Sequence, residues 1–177
     1  EAAESECADR GALAFLPHFY GSGPPWSRRH AFGALAGLRL QHRRGDIIAG
    51  ILRGVACQTA AALETMVRGG YEPSALRMIG GGARSAYWAQ LVADTCGHPV
   101  SLPNVTEAAA LGAGMLAAVG AGALRDVHSA ADLVTIHHHV EPRPEAQVLQ
   151  PAVMGEYLDA LDPVWAALAD YHARRGL

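Results

Sequence analysis

The spacing of apolar residues predicts one long helix in the first half of the chain. Between residues 45 and 70 they recur every three or four positions, from Ile47 and Ile48 to Met66 and Val67. This period builds a broad apolar face on a helix. The glycine pair Gly69–Gly70 is predicted to end it, because glycine adopts the conformation that commonly closes a helix.

The next segment predicts two strands, each followed by a helix. A buried strand is predicted at Leu76–Ile79 and a second at Val100–Leu102. The helix between them is expected to begin at Ser85 and end at Gly97, and Thr106 is predicted to cap the following helix, "EAAALGAGMLAAVGAG". Strands that alternate with helices through short loops imply a parallel pair joined by right-handed crossovers.

The rest of the chain has a weaker pattern. Gly112 and Gly114 lie inside a predicted helix, where each costs about 1 kcal/mol relative to alanine, so close backbone contact with a sheet or ligand is expected there. Periodicity fades from Ala121 to Gln150. The final segment is predicted to be helical, with Pro163 kinking it or starting a new segment.

Composition favours one protein domain over residues 1–177 and limits its partners. The chain is 50% hydrophobic, with a formal net charge of −3. The absence of a basic excess argues against a nucleic-acid or anionic-membrane surface, and no apolar stretch approaches the roughly 20 residues of a membrane span. Three widely spaced cysteines suggest neither a disulfide framework nor a metal motif. We therefore predict a cytoplasmic protein.

The glycine triplet Gly80–Gly82 is the strongest candidate for a ligand site. It lies between a predicted parallel strand and a helix, the position at which α/β sheets bind ligands. Glycine allows a ligand to lie directly on the main chain, although a turn that only requires a positive φ would explain the same residues. The dinucleotide fingerprint fails here because its last small residue would be Ser85 and the second strand ends at Pro103 and Asn104, where an acidic residue would be required. The Lys-Ser or Lys-Thr pair of a Walker loop is absent from the sequence.

A second candidate, the histidine run His137–His139, is not predicted to bind a metal. Adjacent side chains in an extended segment point to alternating faces, so the three rings cannot all converge on one ion.

Four blocks of the sequence, in order, resemble the C-terminal domain of the FGGY family of carbohydrate kinases, which includes xylulokinase and glycerol kinase. The resemblance runs from about Gly11 to Gly122. The blocks are "ALAFLPHFYGSGPPW", "AFGALAGLRLQHRRGDIIAGILRGVACQTAAALETM", "IGGGARSAYWAQLVADTCGHPV" and "EAAALGAGMLAAVGAG". This resemblance implies an α/β fold of the actin-like, ribonuclease H-type class, as the C-terminal lobe of a two-domain sugar kinase.

The resemblance also implies ATP as a substrate, bound with Mg²⁺. "GGGARS" matches the family's adenosine motif, which assigns nucleotide contacts to Gly80, Gly81, Gly82, Ala83 and Ser85. It implies neither catalytic residues nor magnesium ligands in this chain, because the family places its phosphate loop, general base and most sugar contacts in an N-terminal lobe that has no counterpart here. Arg84 would either reach toward the phosphates or remain solvated.

This chain departs from the family at Gly50 and Arg53, where relatives usually carry alanine and an acidic residue. Phosphorylation of a sugar or polyol is the leading hypothesis for the intact protein. A non-catalytic, nucleotide-binding module of the actin-like kind is the alternative, and an oxidoreductase is disfavoured by the failed dinucleotide motif. A homodimer is a further expectation, since a lobe without its partner would expose apolar surface.

Overall fold

The computed structural model describes residues 13–105, 107–144 and 151–175, and its contacts divide the chain into two compact units. One unit comprises Glu1–Glu72 with Glu145–Leu177, and the other comprises Pro73–Pro144.

The first unit combines a small sheet with two long helices. Strand β1 (Ala14–Leu16) pairs antiparallel with β2 (Ala34–Ala36). Helix α1 (Arg44–Arg68) packs on β1 and on the last helix, α5 (Pro151–Arg175). The core is formed where they meet, by Leu16, Ala31, Cys57, Met154, Leu158 and Trp165.

Helix α1 is confirmed, but the face that it buries differs from the predicted one. Ile51, Met66 and Val67 are 36%, 48% and 40% exposed. Small residues are buried instead, among them Gly50 and Gly54. A Cβ added at Gly54 would lie 2.1 Å from the carbonyl oxygen of Phe15, so the backbones of α1 and β1 are in direct contact. The prediction was wrong because it weighted large apolar side chains, whereas close backbone approach selects small ones.

The two ends of α1 are defined by a capping hydrogen bond at the start and a glycine pair at the end. The Asp46 carboxylate accepts a hydrogen bond from the Arg43 N–H at 2.8 Å at the start. Gly69 is the C-cap and Gly70 has φ +86°, as the glycine pair predicted. The expectation that no apolar stretch is long enough to span a membrane does not hold for α1, which passes by length and composition, although half of its most apolar stretch is buried in this fold.

Helix α5 continues through Pro163 without a break, so the predicted new segment does not form. Leu158 and Trp165 are buried on either side of the proline, and this packing holds the helix across the missing N–H.

The loop before β2 is fixed to the same helix, because Arg28 forms ion pairs with Asp159 and Asp162. That loop contains a cis peptide bond between Pro24 and Pro25.

The second unit contains a three-stranded sheet in the order β3-β4-β5. Strand β3 (Leu76–Arg77) runs parallel to β4 (Val100–Pro103), which confirms the predicted parallel pair, although β3 is shorter than expected. Strand β5 (Ile136–Val140) pairs antiparallel with β4 and lies in the region of weak periodicity.

The helices of this unit are α2 (Ala86–Cys96), α3 (Ala108–Gly120) and the short α4 (Val127–Ala131). The predicted start and end of α2 are confirmed, because Ser85 is its N-cap and Gly97 closes it at φ +65°.

Helix α3 does not approach its neighbours as its glycines suggested. A Cβ at Gly112 or Gly114 would meet no atom of the described residues within 4 Å, so these glycines make no close contact with a sheet in the part of the chain that the structure describes, and contact with a ligand stays a prediction. None of the helix's residues is buried. Its N-cap is Glu107, and the predicted cap Thr106 lies outside the described residues.

Candidate nucleotide-binding site

The glycine triplet forms a tight turn at the carboxyl end of β3. The Met78 N–H donates to the Ser101 carbonyl at 3.1 Å, which extends the ladder between β3 and β4 beyond the strand. Gly80 then adopts φ +79° and ψ −169°, a combination that essentially only glycine tolerates. At this first glycine, the simpler explanation of a turn that requires a positive φ is sufficient.

The residues after Gly80 form one turn of 3-10 helix over Gly81–Arg84. The Ala83 N–H donates to the Gly80 carbonyl and the Ser85 N–H to the Gly82 carbonyl, each at 3.1 Å. The N–H groups of Gly81 and Gly82 precede the first of these helical bonds. They are therefore the donors that a helical turn leaves for a ligand or for water.

Space around the turn differs between the second and third glycines. A Cβ at Gly81 would meet nothing within 4 Å among the described residues, and Gly81 is exposed. A Cβ at Gly82 would lie 3.1 Å from both Cδ1 and Nε1 of the Trp88 indole. Of these two glycines, Gly81 is therefore the one whose exposed main chain borders open space, with no internal contact against a side chain.

Ser85 joins the turn to helix α2. Its Oγ accepts a hydrogen bond from the Trp88 N–H at 3.2 Å and so caps the helix. A serine hydroxyl has one donor and two acceptor positions, so this capping bond leaves its proton available for a ligand oxygen or nitrogen. The exposed side chain can thus cap the helix and contact a ligand at the same time.

An ion pair borders the turn. Arg84 Nη2 lies 3.1 Å from Glu107 Oε1, and the two side chains are 67% and 74% exposed. Solvent screens such a pair, so it contributes little to stability. Glu107 is the N-cap residue of α3, but its side chain forms no capping bond.

The structure therefore brings the five predicted contact residues, Gly80 to Ala83 and Ser85, into one turn. Gly81, Gly82 and Ser85 are exposed, while Gly80 and Ala83 are half-buried. Trp88 was not identified from the sequence as the side chain that lies beside Gly82. Its place in the first turn of α2, three residues after the cap, was the available signal, because residues three apart on a helix lie on the same face.

Comparison with known proteins identifies the class to which this architecture belongs. Residues 1–121 match the model of the FGGY family of carbohydrate kinases, C-terminal domain. Glycerol kinase 1 of Pseudomonas aeruginosa is 34% identical over 143 residues, which are 81% of this chain and 28% of that protein. Xylulose kinase of Staphylococcus epidermidis is 29% identical over 145 residues, again 81% of this chain and 29% of that protein.

Solved structures agree on the fold. Xylulose kinase from Rhodospirillum rubrum matches with a TM-score of 0.64 and 27% identity over 98% of this chain and 33% of that one. Xylulose kinase from Lactobacillus acidophilus matches with a TM-score of 0.67 and 21% identity over 97% of this chain and 34% of that one. The predicted actin-like α/β fold is confirmed. The chain spans less than a third of the length of the curated relatives named here, and it belongs to the FGGY family of carbohydrate kinases, whose C-terminal domain it matches.

Proposed function

We propose that this chain supplies the adenosine-binding side of a kinase that transfers a phosphoryl group from ATP to a hydroxyl of a sugar or polyol. The observation that carries the proposal is the exposed main chain at Gly81, at the carboxyl end of a parallel strand. Membership of a family of carbohydrate kinases supports the reaction class. Both a glycerol kinase and a xylulose kinase are among the relatives, so the acceptor is proposed only as a sugar or polyol.

In this proposal the turn binds the flat nucleoside. The purine or ribose lies against the main chain of Gly81 and Gly82, and the Ser85 hydroxyl donates a hydrogen bond to it. Ala83 and Gly80 complete the surface. Such contacts position ATP without taking part in the chemical step, which in phosphoryl transfer depends on holding the phosphates, the metal and the acceptor together.

Magnesium is not assigned ligands in this chain. Among the described residues no three His, Cys, Asp or Glu side chains gather at one point, and Glu107, the carboxylate that borders the turn, is paired with Arg84. The residues do not fit a magnesium site, so no step is derived through the ion.

We also propose that ATP and ADP are ligands of the chain and that it is cytoplasmic, without nucleic-acid or membrane partners. Cys57 is buried and burial raises the pKa of Cys96 to about 11, so neither thiol is reactive.

The test is calorimetric titration of the 177-residue chain with ATP and ADP, comparing the wild type with Gly81→Leu. The new side chain would enter space that is open in the structure, so the fold should persist while nucleotide affinity falls at least about tenfold, or roughly 1.4 kcal/mol. Gly112→Leu is the matched control, because its Cβ also meets open space but lies on α3. Equal affinity in the wild type and Gly81→Leu would reject the proposed site.

A second measurement separates the kinase from a nucleotide-binding module that has no catalytic role. We expect the isolated chain to bind nucleotide without phosphorylating pentuloses or polyols, because closure of two lobes assembles the reacting groups in such kinases. Turnover of about 1 s⁻¹ by the chain alone, within the normal enzyme range, would contradict the expectation that the isolated chain binds nucleotide without catalysis. If a longer product of the same gene binds ATP but phosphorylates none of the pentuloses and polyols tested, the alternative of a non-catalytic binding module is supported.

A further inference from the structure

A bulge in strand β5 changes the geometry of the histidine run. Leu102 of β4 pairs with His138 and Pro103 pairs with Ile136, so His137 is an extra residue without a partner on β4. Strict alternation of side chains, which argued against convergence of these histidines, does not hold across a bulge. Bulges redirect side chains in this way, often beside functional sites.

The rings of His137 and His138 consequently lie close together. Their centroids are 6.2 Å apart and their planes are inclined by 41°. Two imidazoles that share one zinc ion through nitrogens about 2.0–2.1 Å from the metal have ring centres roughly 5–6 Å apart, depending on the angle at the ion. The observed centroid separation is close to this range.

The hydrogen bond of His137 leaves the nitrogen that a metal requires. Its Nδ1 lies 3.2 Å from the Leu102 carbonyl oxygen. A carbonyl oxygen only accepts, so Nδ1 carries the proton in the neutral ring and Nε2 keeps its lone pair. Metal-binding histidines commonly donate their other N–H to a backbone carbonyl, which fixes both tautomer and ring orientation.

We propose that His137 and His138 together bind one divalent transition-metal ion of the zinc, nickel or copper type. Both side chains are exposed on β5, the edge strand of the sheet, so water can complete the coordination. No set of three ligand side chains surrounds one point among the described residues, which makes this a site with two protein ligands. Imidazole ligands favour these ions over magnesium, which prefers oxygen. The site is thus separate from the magnesium of the proposed kinase reaction.

The test is a calorimetric titration of the 177-residue chain with zinc chloride. It compares the wild type with His137→Ala, His138→Ala and His139→Ala. The last is the matched control, since His139 is also exposed on β5 but follows His138 in regular register with β4, so its side chain points to the opposite face of the sheet. We expect one zinc ion per wild-type chain and at least about tenfold weaker binding in each of the first two variants, because chelation by two groups is lost. The control should bind as the wild type does. Magnesium chloride should give no competing signal.

The chain contains nine histidines, so weak binding elsewhere must be distinguished from this pair. Nitrogen-15 NMR of histidine does so, because zinc should shift the Nε2 resonances of His137 and His138 and leave their Nδ1 resonances less affected. Circular dichroism of each variant establishes that the fold is retained. The proposal is overturned if either single variant binds zinc as tightly as the wild type, or if His139→Ala loses as much affinity as His137→Ala. None of these outcomes depends on nucleotide binding.

Discussion

The indole of Trp88 lies against Gly82 so closely that a Cβ at residue 82 would be 3.1 Å from two of its ring atoms, Cδ1 and Nε1. A side chain at residue 82 would therefore press on the indole, which would have to shift by a few tenths of an ångström. Gly80 is required by its positive φ and Gly81 by neither constraint, so three adjacent glycines have three different physical explanations. The nucleotide proposed above would explain the second.

We expect Gly82→Val to destabilise the chain by about 1–3 kcal/mol, the usual cost of overpacking, because the new side chain would press on the indole of Trp88. In a chain that already carries Trp88→Ala, the same substitution should cost much less. Gly81→Val should be nearly neutral in both backgrounds. Urea unfolding of the four combinations measures the coupling free energy. An equal cost of Gly82→Val with and without Trp88 would show that the indole is not the constraint.

Gly54 and Gly112 provide a sharper contrast between two helical glycines. A Cβ at Gly54 would lie 2.1 Å from the Phe15 carbonyl oxygen, so Gly54→Ala should separate α1 from β1 and cost about 3 kcal/mol or more. Gly112→Ala meets open space and should stabilise α3 by roughly 0.5–1 kcal/mol through helix propensity. Thermal unfolding of the two variants checks both signs. A loss of stability in Gly112→Ala would reveal a close neighbour of α3 that the described residues do not provide.

The elements that could be predicted from the sequence are those determined by residues within the element or directly beside it. Ser85 and Gly97 bound α2 as expected because a capping hydroxyl and a left-handed glycine act within one turn. The parallel pair of β3 and β4 followed from a short apolar run on each side of a helix. The site turn was located for the same reason, since its glycines stand between a strand and a helix cap.

Features that depend on distant neighbours were missed. The buried face of α1 is set by the backbone of β1, which lies about 40 residues earlier in the chain and leaves no periodic signal for small residues. Strand β5 is exposed at His137–His139 and buried at Val140, so it lacks the alternation that marks a half-buried strand. The bulge at His137 arises from pairing with β4 and cannot be read from β5 alone.

Asp94 is expected to be the most acid-sensitive carboxylate of the second unit. Its side chain is fully buried and accepts hydrogen bonds from the Arg143 backbone N at 2.8 Å, from Arg143 Nε at 3.0 Å and from Gln90 at 2.9 Å. Burial alone would raise the pKa of Asp94, but the hydrogen bonds from Arg143 and Gln90 outweigh it and lower the pKa below 3.8. The carboxylate therefore stabilises the fold above its unfolded pKa, and this contribution is lost as pH falls through the lower folded value.

Asp94→Asn should cost about 2–4 kcal/mol at pH 7, because it removes the charge that Arg143 contacts inside the fold. The difference from the wild type should shrink as pH falls below about 4, because the unfolded carboxylate takes up a proton there while the folded one is still ionised, and it should be lost once pH passes the lower folded pKa. Asp170→Asn is the control, since its ion pair with Arg174 is 2.9 Å long but both side chains are about two-thirds exposed or more, and its loss should cost less than about 1 kcal/mol. Urea unfolding from pH 7 to pH 3 measures both. Equal costs for the two variants at pH 7 would contradict the assigned role of Asp94.

His18 should make the first unit sensitive to mild acid. It is only 3% exposed, its Nε2 has no hydrogen-bond partner among the described residues, and its ring meets the edge of Trp26 with centroids 6.0 Å apart. Burial lowers the pKa of His18 below the ordinary value of 6.5. The unfolded chain therefore takes up a proton before the folded one does, so stability declines as pH falls from about 6.5 toward the lower folded pKa.

His18→Leu should be neutral or stabilising by up to about 1–2 kcal/mol at pH 7.5, because it removes a buried polar atom without a partner. Its advantage over the wild type should grow between pH 7 and pH 5, since only the wild type must keep a buried imidazole neutral there. His30→Leu serves as the exposed control and should show no such growth. Trp fluorescence during urea unfolding at several pH values supplies the measurement. A constant difference between His18→Leu and the wild type across this range would mean that the imidazole is solvated or paired in solution, and burial would then not be the cause of its acid sensitivity.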